Sequence, residues 1–100
     1  MVDSVVDKNG RKIELRRVGV LEQLRLFKAL GPDLSENRAY FGLARLAATV
    51  AMIDGVPIPF PSSEGTVEGI LDRLGEEGVD AVGNGLMVIS QSDVVAEAGN

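Results

Sequence analysis

The sequence contains no cysteine, no histidine and no tryptophan, and its one tyrosine is Tyr40. Without cysteine the chain forms neither disulfides nor thiolate metal sites. Without histidine it lacks the most frequent general base and the commonest metal ligand. We therefore expect a protein that is not an enzyme, with no catalytic residues, no cofactor and no metal site.

Long hydrophobic runs are missing as well. No stretch approaches the roughly 18 apolar residues that a membrane-spanning helix requires. The first four residues, MVDS, lack the basic start and apolar core of a secretory signal. We expect a cytoplasmic protein that does not bind a membrane.

What the chain does have is a globular composition, with 100 residues of which 45% are hydrophobic. This length supports one domain with one modest core, so residues 1–100 are expected to form a single domain. The net charge of −5 is divided unevenly: residues 1–50 carry 9 − 6 = +3 and residues 51–100 carry 1 − 9 = −8. The two halves either attract each other within one fold or promote association with another molecule, such as a second copy.

Residues 2–17 predict a β-hairpin, because Asn9-Gly10 is the strongest two-residue turn signal. A turn centred there places Val6 opposite Ile13. A lone hairpin is marginal in water, so it is expected to pack against helices.

Three or four helices are expected over residues 20–91. The first covers 20–30, with an apolar stripe, and Gly31-Pro32 ends it. The stripe consists of Val20, Leu24, Phe27 and Leu30, broadened by Leu21 and Leu26. The second helix starts near Asp33 or Ser35, which have capping-box spacing, and runs to about Ile53. It is apolar nearly all round, which makes it either the central core helix or a helix that also buries a face against a partner.

The third helix is capped by Ser62 or Ser63 and runs to Leu74, where Gly75 closes it. A fourth is expected over residues 77–89, and residues 92–100 are predicted to be a disordered tail. The fold class is therefore mainly α, with three to four helices packed against an N-terminal β-hairpin.

Between the second and third helices lies the segment 56–61, VPIPFP, which alternating prolines hold extended. It either pins the third helix onto the second by burying Ile58 and Phe60, or serves as an exposed ligand for another protein. The first interpretation is favoured.

Charged residues form two groups. Four carboxylates recur at i, i+4 steps along the third helix, namely Glu64, Glu68, Asp72 and Glu76. This acidic ridge is a solvated face or a rim for a basic partner, since carboxylates along one helix do not converge on a metal ion. Five basic residues lie around the hairpin, but no aromatic residue accompanies them and the chain is acidic, so no nucleic-acid partner is expected.

The order of these segments resembles the small tail assembly chaperones of long-tailed bacteriophages. The resemblance rests on residues 7–16 (DKNGRKIELR), 24–31 (LRLFKALG), 53–61 (IDGVPIPFP) and 71–78 (LDRLGEEG). It covers roughly residues 5 to 82, and it lies in the order of the segments, because no single motif is diagnostic.

The resemblance implies a chaperone that binds the phage tape measure protein and keeps it soluble while the tail tube assembles. It also implies activity in the host cell cytoplasm, absence from the mature virion, and a frameshifted longer form that recruits the tail tube protein. The alternative is a structural adaptor that stays in the phage particle. Homo-oligomerisation is expected in either case.

The family offers no invariant residue set to carry over, so the expected partner-binding residues are surface candidates. They are Phe41, Leu46, Ile58 and Phe60 as apolar contacts, with Glu64, Glu68, Asp72 and Glu76 as a polar rim.

Overall fold

The computed structural model describes the backbone of residues 4–98 and the side chains of residues 4–86. Within that range the chain forms four strands and three helices. In chain order they are β1 (Ser4–Val6), β2 (Lys12–Leu15), α1 (Val20–Glu36), α2 (Arg38–Thr49), β3 (Val50–Ile53), β4 (Val56–Pro57) and α3 (Glu64–Ala98). The mainly helical class and the N-terminal hairpin are confirmed. The strand content is larger than predicted, because the hairpin is half of a four-stranded antiparallel sheet in the order β1-β2-β3-β4.

The hairpin pairs one residue away from the predicted register. Val5 lies opposite Ile13, whereas the sequence predicted Val6 there. The turn is centred on Lys8-Asn9, since the Gly10 N–H donates to the Asp7 carbonyl (3.0 Å) and Gly10 takes a φ of +82°. A three-residue loop of this kind ends in a glycine bulge and shifts the pairing by one. The shift turns Val5 towards the core and leaves Val6 exposed.

The predicted second helix is too long at both ends. It begins at Arg38 because Asn37 is the cap, its side chain accepting the Tyr40 N–H at 3.1 Å. It ends at Thr49, and the next four residues form β3, whose β-branched ends Val50 and Ile53 are buried. β2 provides the reason, because a two-stranded hairpin gains a third strand by pairing with this segment.

Two glycines with positive φ break the long helices. Gly31 (φ +83°) interrupts α1 where the sequence placed its end, and residues 32–36 add one further turn. Gly75 (φ +66°) divides α3 into two segments, as the third and fourth predicted helices require. Ser63 caps the first segment, its Oγ accepting the Thr66 N–H at 3.2 Å. The predicted helix over residues 20–30 and the predicted cap at Ser63 are therefore confirmed.

The second segment of α3 continues to Ala98, whereas the sequence predicts a disordered tail over 92–100. No glycine or proline occurs between Leu86 and Ala98 to stop the helix. Residues 99 and 100 lie outside the described residues, and the division of the chain into one domain with a tail stays a prediction.

The core lies between the sheet and the helices. Its fully buried large side chains come from β2, α1, β3 and both segments of α3; they are Ile13, Leu26, Val50, Val67, Leu74 and Val82. α2 is the central helix, since it packs against both α1 and α3. Its buried alanines, Ala44, Ala47 and Ala48, allow the neighbouring helices to approach closely.

Candidate functional site

The largest departure from the predicted packing concerns α1. Only Leu26 and Leu30 of its predicted stripe are buried. The remaining members form an exposed strip that we call the α1 face: Val20 (78% exposed), Leu21 (56%), Leu24 (58%) and Phe27 (40%). They make up four of the seven large apolar side chains that are exposed among residues 4–86. Because positions three and four apart adjoin on a helix, the four side chains form one continuous surface.

The sequence contained a signal for this arrangement. Val20-Leu21 and Leu26-Phe27 are neighbouring apolar pairs, and neighbours on a helix point about 100° apart. One flank of the helix cannot bury both members of each pair while also burying Leu24. The competition is decided by tertiary packing, which places Leu26 in the core and leaves Leu24 outside.

One side of the α1 face is fixed by an aromatic contact. The ring of Phe27 stacks on that of Phe41 from α2, with centroids 4.6 Å apart and planes at 7°. Phe41 was expected to contact a partner directly. It is half-buried, and its ring packs face to face with that of Phe27.

Exposed basic residues lie close in sequence to the α1 face. Arg25 and Lys28 are exposed on the same helix, and Arg17 is exposed just before it. Glu22, the acidic residue in the first turn, caps its own helix: its Oε2 accepts a hydrogen bond from the Gly19 N–H at 3.1 Å. The surface is therefore apolar with basic residues beside it, whereas the sequence predicted apolar contacts on the second helix and in the proline segment, with a negative rim.

The other predicted apolar contacts are distributed over the molecule. Leu46 is half-buried and packs beside Gly83 of α3. Ile58 is buried at 4% exposure, and its N–H donates to the Ala51 carbonyl at 2.8 Å. Phe60 is half-buried below the guanidinium of Arg16, which lies 5.9 Å from the ring centroid. Ile58 belongs to the buried core, and Phe41, Leu46 and Phe60 pack against it.

The proline segment is joined to the sheet, and its Ile58 is buried in the core as predicted. Its first two residues are β4, paired with β3. Arg16 holds the next part, donating to the carbonyls of Val50 (2.9 Å) and of Ile58. Burial lowers the pKa of Arg16 from its ordinary value. Arg16, one of the basic residues around the hairpin, thus links the proline segment to β3.

The acidic ridge is exposed along its whole length, and the kink at Gly75 separates Glu76 from the other three carboxylates. Glu68 has a partner within the molecule: its Oε2 accepts a hydrogen bond from the Tyr40 hydroxyl, with 2.9 Å between the two oxygens. Burial, this hydrogen bond and the charges of Glu68 and Glu64 raise the pKa of Tyr40 to about 12.

Next to the kink lies a shallow opening between the two segments of α3, which we call the α3 groove. Leu71 and Val79 form its apolar floor, and it is open to solvent. Its remaining lining residues are Asp72, Gly75, Glu76 and Asp80.

The described residues offer no group of three or more carboxylate, imidazole or thiolate side chains placed to hold a metal ion. Over the same part of the chain, no helix is long and apolar enough to cross a membrane. Comparison with protein-family models, with curated proteins and with solved structures found no match.

Proposed function

We propose that this protein is a tail assembly chaperone of a long-tailed bacteriophage, which binds helical segments of the tape measure protein and keeps them soluble. The observation that carries the proposal is the α1 face, an apolar helix surface exposed to solvent with no covering element among the described residues. The resemblance of residues 5–82 to that family supports it from the sequence.

The shape of the α1 face suits a helical ligand. Val20, Leu24 and Phe27 follow i, i+4, i+7 spacing, which is the pattern by which one helix packs along another. Exposed contiguous apolar patches of this kind mark interaction sites in soluble proteins. A partner helix with a matching stripe would bury these side chains and remove its own apolar stripe from water.

The modest size of the surface is appropriate for a chaperone that has to leave. Interfaces below about 1,200 Å² characterise transient complexes. Four side chains on about two turns of one helix fall in that class. Many copies along a long partner would therefore supply the stability that one contact lacks. In this proposal the chaperone acts in the host cytoplasm, is absent from the finished virion, and has a frameshifted longer form for the tail tube protein.

The test is co-expression with the long helical protein encoded just downstream, followed by size-exclusion chromatography with light scattering. We expect several copies to co-elute with a partner that is insoluble alone. Leu24→Asp on the α1 face should abolish co-elution. The matched control is Leu43→Asp, because Leu43 is a similarly exposed leucine (45%) on α2, about 200° around that helix from Phe41.

Two results contradict the proposal. If Leu24→Asp and Leu43→Asp co-elute equally well with the partner, the α1 face is not the binding surface. If the partner stays insoluble and the protein is found in purified virions, the chain is instead a structural adaptor of the particle.

A further inference from the structure

Two exposed surfaces of this molecule have opposite charge, and each contains apolar side chains. The α1 face carries Arg25 and Lys28 beside its apolar strip. The α3 groove carries Asp72, Glu76 and Asp80 around Leu71 and Val79, and no basic residue lines it. Each surface therefore has the composition that the other would select in a partner.

One molecule cannot bring these surfaces together by itself. α2 separates the two helices, with Phe41 facing Phe27 of α1 and Tyr40 bonded to Glu68 of α3. Positions 40 and 41 point about 100° apart on α2, so α1 and α3 lie on different sides of it. The charge division of the sequence, +3 against −8, is thus not neutralised at these two surfaces within the fold.

We infer that the α1 face of one molecule docks into the α3 groove of a second copy, head to tail. The apolar strip covers Leu71 and Val79, while Arg25 and Lys28 approach the carboxylates of Asp72 and Asp80. The docked pair keeps one free α3 groove and one free α1 face, so the contact repeats and builds chains of varying length. This inference does not depend on the proposed function, although a helical partner on the α1 face would displace the second copy.

The association is weak and sensitive to salt. The contact is smaller than the roughly 1,200 Å² of a stable interface, and its ion pairs lie at the rim, where ions screen them. We therefore expect a fast equilibrium in which the average mass rises with protein concentration and falls as salt is added.

The experiment uses the full chain alone, with sedimentation equilibrium or light scattering over a concentration series at low and high salt. Two charge-reversal variants divide the interface: Arg25→Glu with Lys28→Glu alters the α1 face, and Asp72→Lys with Asp80→Lys alters the α3 groove. Each variant by itself should stay monomeric, because both of its surfaces then carry charge of the same sign. An equal mixture of the two should associate again, since each altered surface meets its complement.

The mixture also controls for folding, because a misfolded variant would not recover association. Lys8→Glu with Lys12→Glu is the matched control: it makes the same change in net charge on the exposed hairpin and should associate like the unaltered chain at equal ionic strength. The inference is overturned if the unaltered protein is monomeric throughout the series. It is equally overturned if the Asp72→Lys, Asp80→Lys variant associates normally, which would indicate a symmetric contact between two α1 faces, or if the mixture stays monomeric.

Discussion

Arg11 in the hairpin donates a hydrogen bond to the carbonyl of Leu74, 63 positions later, with 2.6 Å between Nη2 and the oxygen. Its Nη1 reaches the neighbouring carbonyl of Arg73 at 2.9 Å. These carbonyls lie at the end of the first segment of α3, where a helix leaves acceptors unpaired and its dipole favours a cation. Asp7 orients the guanidinium, its Oδ2 lying 2.7 Å from Nε.

The first prediction concerns this arginine. Arg11→Ala should lower the free energy of unfolding by more than about 1 kcal/mol, because two carbonyls lose a charged donor. Arg11→Lys should lower the free energy of unfolding by less than Arg11→Ala does. It keeps the charge, but an ammonium cannot reproduce the planar fork of the guanidinium. Arg25→Ala, at an exposed position of α1, is the control and should change the free energy of unfolding by no more than about 0.5 kcal/mol. Urea unfolding measures all three, and equal values for Arg11→Ala and Arg25→Ala would contradict the prediction.

The second prediction concerns acid stability. Burial acts to raise the pKa of the Asp7 carboxyl, but hydrogen bonds from the backbone and guanidinium of Arg11 and from the Asn9 N–H outweigh it and lower the pKa from its ordinary value of 3.8. The ionised form is favoured by folding, so its stabilisation is complete above pH 3.8 and is lost as the pH falls through the lowered pKa.

Urea midpoints measured from neutral pH down to about pH 2 should therefore fall more steeply for the unaltered chain than for Asp7→Asn. Asp33→Asn, at an exposed position, should leave the steep fall unchanged. If the urea midpoints of Asp7→Asn and of the unaltered chain fall in parallel with pH, the hydrogen bonds to Asp7 do not stabilise its ionised form in the folded protein.

The third prediction uses the single tyrosine as a probe. Tyrosinate absorbance should give a midpoint near 12 for Tyr40 in place of its ordinary 10.0. The raised pKa means that the neutral form is stabilised by folding, so this contribution is present below pH 10 and is lost as the pH rises through 12. Glu68→Gln should move the midpoint back towards 10, whereas Asp72→Asn, one turn away, should not. An unchanged midpoint in Glu68→Gln would show that the charge of Glu68 does not raise the pKa of Tyr40.

The fourth prediction concerns Gly85. A Cβ added there would lie 2.6 Å from Cγ1 of Val5 on β1. Gly85→Ala should cost about 1–3 kcal/mol through overpacking. In a Val5→Ala background the same change should be nearly neutral or favourable, because alanine also gains helix propensity over glycine. A double-mutant cycle measures the coupling, and an equal cost of Gly85→Ala in both backgrounds would show that the contact is not limiting.

Gly85 also illustrates what the sequence could not reveal. Considered locally, Gly85 only weakens the predicted fourth helix, by roughly 1 kcal/mol relative to alanine. Its role depends on β1, eighty positions earlier, and on a hairpin register that turns Val5 inward. A contact at that separation follows from neither propensity nor periodicity.

The sheet was more predictable than the outcome suggests. Asp54-Gly55 between apolar residues is a strong hairpin signal, and both residues take positive φ, 51° and 82°, as a two-residue turn requires. The sequence was interpreted there as a helix followed by a turn, because the apolar run from α2 continues without interruption into β3. Short apolar runs do not distinguish strand from helix by periodicity, and β2 as a pairing partner decides the outcome.

The candidate surface was the least predictable part. The sequence indicated surplus apolar helix surface but assigned it to the second helix, which the fold places at its centre. The predicted first helix contains fewer apolar residues than the predicted second helix, yet α1 leaves four large apolar side chains exposed. Which helix is central follows from the chain's path through β3, and that path was missed.

The outer strand β4 has a consequence for how this protein meets other chains. It is two residues long, and its second residue, Pro57, has no N–H to offer beyond the sheet. An incoming strand that pairs along this border finds no ladder to extend. Unfolded or amyloid-prone segments therefore cannot extend the sheet by adding a strand at the β4 border.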